Sequence, residues 1–152
     1  DPEWPEGWYK KGKALDRMGN HEEAVKSFEK SVETSEIAIQ KDANDTGEWI
    51  IKGYALIKLG RYNEAQEALD KALEIAPPLI RVSSSEAWNG KGDVLLAQGK
   101  DEDALAAYNK SIEFNPAFSL AWHGRGLAQK ALGRVFDADQ SFYVARKLGY
   151  QE

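Results

Sequence analysis

No cysteine occurs among the 152 residues, which excludes disulfides and thiolate metal sites and fits a reducing, cytoplasmic setting. Proline is scarce: five residues, mostly at segment joins, leave long stretches free to be helical. His21 and His123 are the only histidines, and neither has a His neighbour at ligand spacing, so no metal, cofactor or catalytic histidine pair is expected. No apolar run approaches the roughly 20 residues of a membrane span, so no membrane partner is expected. The opening Asp1-Pro2-Glu3-Trp4 has neither the basic nor the apolar region of a signal peptide. Positive charge is also in deficit, with 20 Lys and Arg against 25 Asp and Glu, a net −5. Such a chain repels phosphate backbones, so nucleic acid is not an expected partner.

What is present is a globular balance, 42% hydrophobic and 30% charged, arranged as an internal repeat. Aligning Trp8, Trp49, Trp88 and Trp122 places Gly12, Gly53, Gly92 and Gly126 four residues later in every copy. Gly19, Gly60, Gly99 and Gly133 come next, then Ala24, Ala65, Ala104 and Ala138. Phe28, Leu69, Tyr108 and Phe142 follow, and Ser31, Ala72, Ser111 and Ala145 close the pattern. From Trp to the middle Gly, apolar residues recur at helical spacing, as in Trp49, Ile50, Leu56 and Ile57. The middle Gly ends that helix, because glycine takes the left-handed C′ conformation without a Cβ penalty. Asn20-His21-Glu22-Glu23 has the form of a capping box that starts a second helix. The early Gly and the Ala belong where the two helix backbones come closest.

These motifs resemble the tetratricopeptide repeat (TPR) family, whose 34-residue unit carries Trp, Gly, Ala, an aromatic and Pro at such offsets. Pro77 and Pro116 fill the terminal Pro position, and Leu59-Gly60-Arg61-Tyr62 and Leu132-Gly133-Arg134 fill the inter-helix turn. The resemblance covers nearly the whole chain. It implies an all-α fold, a right-handed superhelical α-solenoid (alpha-alpha superhelix) of four helix-turn-helix repeats in one domain, 1–152. Their approximate spans are 5–45, 46–84, 85–118 and 119–152. Pro2 precedes Trp8 by six residues, as Pro116 precedes Trp122, and reads as the tail of a preceding repeat.

The Trp spacings are 41, 39 and 34 residues, so two joins carry extra length. With no Pro between Ser31 and Asp45, the second helix of the first repeat is expected to run on to about Ala43, with Asp45-Thr46-Gly47-Glu48 capping the next. At the second join Pro77-Pro78 breaks the helix and Ser83-Ser84-Ser85-Glu86 is read as the next cap. Leu79, Ile80 and Val82 are expected to fold back on the repeat edge.

By resemblance, the first helix of each repeat lines a concave groove that grips a peptide or helix. The groove positions lie one, five and eight residues after each Trp. They are Tyr9, Lys13 and Asp16; Ile50, Tyr54 and Ile57; Asn89, Asp93 and Leu96; and His123, Leu127 and Lys130. The family's carboxylate clamp for Hsp70 and Hsp90 tails needs Lys, Asn and Arg at five positions. Here they hold Tyr9, Lys13, Ile51, Glu86 and Gly90, or one repeat on, Ile50, Tyr54, Gly90, Leu120 and Gly124, so that ligand is not expected. Three residues after each Trp stand Lys11, Lys52, Lys91 and Arg125, where the family usually has Leu. Two readings stand: an anion-binding ladder, or stems laid on apolar surface with the charges meeting nearby acids. Gln129 replaces the apolar residue of Leu15, Leu56 and Leu95.

Asn89-Gly90-Lys91-Gly92 lacks phosphate-loop spacing and falls in a helix, as does Gly124-Arg125-Gly126. The acids Glu22-Glu23 and Asp101-Glu102-Asp103 begin second helices, where they favour the helix dipole. No catalytic constellation remains. The expectation is a non-catalytic scaffold for a protein or peptide ligand. The second reading is a self-associating homo-oligomer built through repeat ends or the 79–82 loop.

Overall fold

The computed structural model describes residues 4–76 and 81–151, and among these it is all helix, with eight α-helices and no strand. They are α1 (Pro5–Arg17), α2 (His21–Lys41), α3 (Thr46–Lys58), α4 (Tyr62–Ile75), α5 (Arg81–Ala97), α6 (Asp101–Phe114), α7 (Ser119–Ala131) and α8 (Val135–Lys147). They fall into two compact units, Asp1–Ile75 and Ala76–Glu152. Each unit holds two hairpins, and the second helix of the first hairpin packs both on its own partner and on the next first helix.

Every hairpin turn is closed in the same way. Gly19, Gly60, Gly99 and Gly133 have φ between +71° and +79°, the left-handed region where a side chain is strained. The residue after each glycine, Asn20, Arg61, Lys100 or Arg134, donates its N–H back to the carbonyl of Leu15, Leu56, Leu95 or Gln129 at 2.8–2.9 Å. This is the six-to-one bond of a Schellman motif, and it satisfies a carbonyl the helix end would otherwise strand. Asn20 sits at the N-cap of α2, but its side chain makes no capping bond, so the expected capping box is absent. Asp45 does cap α3, accepting from the N–H groups of Gly47 and Glu48 at 2.9 and 3.3 Å.

The early glycines admit a side chain of the second helix. A Cβ at Gly12, Gly92 or Gly126 would lie 2.5–2.6 Å from a ring carbon of Phe28, Tyr108 or Phe142, and at Gly53 it would lie 2.8 Å from Leu69 Cγ. The space that each of these glycines leaves open is thus taken by the bulky residue of the second helix. Phe28, Leu69 and Tyr108 are consequently buried, each contributing about 1.5–3 kcal/mol of transfer free energy. The small residues Ser31, Ala72, Ser111 and Ala145 are fully buried beside them. In the first and third hairpins the serine hydroxyl also donates across the pair, Ser31 to the Pro5 carbonyl at 2.9 Å and Ser111 to the Ser85 carbonyl at 2.7 Å.

Among the described residues both joins add helix. α2 runs 21 residues against 14 in α4 and α6, and its added turns brace α3. Glu36 on that extension pairs with Lys52 at 2.8 Å. α5 begins at Arg81, so Ser83-Ser84-Ser85-Glu86 lies inside the helix and is no cap. Arg81 decides this, because its guanidinium donates to the carbonyls of Phe114 and Glu113 at 3.1 and 3.0 Å, satisfying the C-terminus of α6. Val82 is 59% exposed and does not fold back, while Leu79 and Ile80 lie outside the described residues.

Candidate functional site

In the first unit, α1 and α3 lie side by side and their outward residues form one face. The Tyr9 ring sits 5.9 Å from Phe28 and 6.2 Å from Tyr54, so one ring pair spans the two first helices. Lys13 extends over the Tyr9 ring at 5.5 Å. Burial, joined by the charges of Arg17, Lys58 and Lys10, pulls its ammonium below the usual lysine range. Tyr54 and Ile57 are half-buried, whereas Ile50 is 4% exposed and supports the face from beneath. Asp16 Oδ1 and His21 Nδ1 are 2.8 Å apart, which ties this position to the turn.

The second unit uses the same positions differently. Asn89 is 3% exposed, and its Nδ2 donates to Asp93 Oδ2 at 3.3 Å. Tyr108 Oη donates to the other Asp93 oxygen at 2.7 Å, so this carboxylate serves the interior. Leu96 packs against the cluster of Ala104, Leu105, Tyr108 and Ala128. Leu127 and Lys130 are exposed. His123 packs near Phe142 at 5.4 Å and stacks on Tyr150 at 4.0 Å, nearly parallel. Reading the repeats did not find Tyr150, because it lies beyond the last aligned position, nor the flanking Lys10, Arg17 and Lys58. The α1 part of that cluster was visible as an i, i+3, i+7 series; the contribution of Lys58 needed the packing of α3.

The basic ladder has a definite seat. Lys11, Lys52, Lys91 and Arg125 lie over the rings of Trp8, Trp49, Trp88 and Trp122 at 4.8, 5.7, 4.9 and 4.3 Å. Cation–π contacts of about 0.5–1 kcal/mol each tie these charges to the rings, and Lys52 also meets Glu36 at 2.8 Å. Lys110 adds a second cation over Trp88 at 4.2 Å. Trp49 and Trp122 further donate their indole N–H to the Ala43 and Pro116 carbonyls at 2.9 and 2.8 Å. Gln129, where other repeats have leucine, accepts from the buried Ser141 hydroxyl at 2.6 Å, and Ser141 in turn accepts from Arg125 Nε at 2.9 Å.

A pocket of about 270 Å³ in the first unit is lined by Trp49, Lys52, Glu64, Glu67, Ala68 and Lys71, none of them a groove position. Among the described residues no group of three or more His, Asp or Glu could hold a metal, and no helix is long and apolar enough to cross a membrane.

Residues 52–117 and 5–36 match two family models, both described as tetratricopeptide repeat, which together take in more than half of the chain. The uncharacterized protein MJ0572 of Methanocaldococcus jannaschii is 36% identical over 62 residues, 41% of this chain and 72% of that protein. A crystal structure of MamA superposes with a TM-score of 0.60 at 26% identity, covering 97% of this chain and 80% of that one. MamA from Desulfovibrio magneticus RS-1 gives 0.60 at 21% identity over 96% and 76%, a likeness of fold alone.

Proposed function

The chain belongs to the tetratricopeptide repeat family of protein-interaction scaffolds, and on that premise we propose that the faces of its first helices dock a peptide or helix of a partner protein. The Tyr9–Tyr54 ring pair carries this reading: two aromatic side chains from successive first helices, held 6.2 Å apart on a half-buried surface beside Ile57. Such amphipathic rings are the residue type that anchors binding surfaces. The partially exposed Leu127 gives the second unit an apolar contact of its own. No step of chemistry is assigned to the chain.

The test is an unbiased peptide display against the folded chain, followed by the variants Tyr54→Ala and Leu127→Ala. At least one of them should weaken the selected peptides about tenfold or more, with helicity unchanged. Selected peptides that bind both variants as they bind the parent would move the site off these faces.

Self-association is a second reading, favoured by Val135, Phe136 and Tyr143 on α8, which are 61%, 76% and 54% exposed. Light scattering during size-exclusion chromatography tests it: a monomer at high concentration would dispose of it.

A further inference from the structure

Charge on the first unit is unevenly compensated. Lys10, Lys26, Lys30, Lys52, Arg61 and Lys71 each meet a carboxylate within 3.4 Å. Lys13, Arg17 and Lys58 have no ion-pair partner among the described residues, and all three belong to the face of the tyrosine pair. Lys10, Lys13 and Arg17 follow one another at three- and four-residue steps along one side of α1. Lys58 stands four residues after Tyr54 on α3, on the same side of that helix. The Tyr9–Tyr54 contact brings these two rows together, and the charges of Arg17, Lys58 and Lys10 all act on Lys13. Lys13, Arg17 and Lys58 thus repel one another locally, and their excess of positive charge stands apart in a chain whose net charge is −5.

We infer that this cationic, tyrosine-lined face of α1 and α3 takes an acidic peptide segment, its carboxylates meeting Lys13, Arg17 and Lys58 and its stem lying on Tyr9, Tyr54 and Ile57. The inference rests on the docking reading above and names the partner's chemistry. The patch is short and backed by rings and an isoleucine, which suits side-chain carboxylates spaced along a peptide. A polynucleotide would instead carry its phosphates onto the acidic remainder of the chain.

Isothermal titration with a blocked octaglutamate peptide tests it, with octalysine and octathymidylate as comparison probes. Octaglutamate should bind, weaken steeply as salt rises, and lose about tenfold or more in Lys13→Glu/Lys58→Glu. The milder Lys13→Gln/Lys58→Gln should show a smaller loss, and Lys41→Glu, at the far end of α2, none. No octaglutamate binding at low salt overturns the inference, as does equal loss in Lys41→Glu or binding of octathymidylate at least as tight as that of the peptide. The two readings fail separately. Displayed peptides that depend on Tyr54 but carry no excess of Asp and Glu, and ignore Lys13→Glu/Lys58→Glu, would leave docking intact and remove the acidic partner. Displayed peptides indifferent to Tyr54 and Leu127 would remove docking itself.

Discussion

Replacing Gly92 by alanine tests the packing rule on which the hairpins depend. The added Cβ would stand 2.5, 2.7 and 2.8 Å from Cε1, Cδ1 and Cζ of Tyr108, where carbon atoms normally sit about 3.5–4.0 Å apart. Something must move by about 1 Å. The ring has no room to do so: Tyr108 is fully buried, and the same ring edge already lies against Gly124 of α7. Its hydroxyl is also held by Asp93, next to Gly92 on α5, at 2.7 Å. Overpacking of this kind costs about 1–3 kcal/mol and can break the hydroxyl bond as well, against about 1 kcal/mol returned by alanine's higher helix propensity. The net loss should be about 2 kcal/mol, a drop of roughly 4–8 °C in Tm for a chain of this size. Gly53→Ala is the matched comparison. Its obstacle is Leu69, equally buried but smaller, met at 2.8 Å and without a hydroxyl bond to lose, so it should lose less. Urea unfolding followed by tryptophan fluorescence, with far-ultraviolet circular dichroism alongside, reads both. A Gly92→Ala protein as stable as its parent, or less affected than Gly53→Ala, would refute the steric account.

Two further outcomes follow from polar groups in the interior. Ser141→Ala leaves the Gln129 oxygen without its donor and should cost about 1–3 kcal/mol, while Ser141→Ala/Gln129→Leu, which installs the Leu and Ala of the second and third repeats, should recover most of the loss. Thermal melts of the pair decide it, and a double variant no better than the single one would deny that the polar chain stands in for an apolar contact. Burial, aided by the charge of Asp45 and opposed by the Ser35 hydroxyl, raises the Glu48 carboxyl above the usual range. A raised folded-state pKa favours the protonated form, so the stability it contributes is full below the ordinary Glu pKa and is lost as pH rises through the raised one. Glu48→Gln, which cannot ionise, should therefore match its parent most closely in mild acid and gain on it towards neutrality. Melts at a series of pH values would show a constant gap if Glu48 were not desolvated.

The hairpins were legible because their constraints are steric and recur. A left-handed turn demands glycine, and a ring against a helix demands another, so both appear as columns in the repeat. The second join was not legible, because a run of three serines followed by Glu reads equally well as a cap or as the second turn of a helix. Arg81 settles the matter through carbonyls more than thirty residues away, a tertiary term that no local pattern carries. The ladder shows the same limit. Its four basic residues were plain in the sequence, yet whether they meet anions, acids or rings depends on where each indole lies.

The candidate face was legible in position but not in accessibility, for a reason built into the helix. Residues four and five after each Trp differ by about 100° around the axis. The first points at the bulky side chain of its own hairpin and is glycine in all four copies. The second points away and is Lys13, Tyr54, Asp93 or Leu127. Packing thus dictates one column and leaves its neighbour to whatever each repeat must touch. In the second unit that freedom is used inwardly, where Asp93 holds the Tyr108 hydroxyl. In the first it places Lys13 over a tyrosine ring with no acid beside it, an arrangement that packing does not require. A position that departs from the repeat in a way that packing does not require is where a partner's chemistry leaves its mark, and on that ground the first unit is the better place to test the proposed docking.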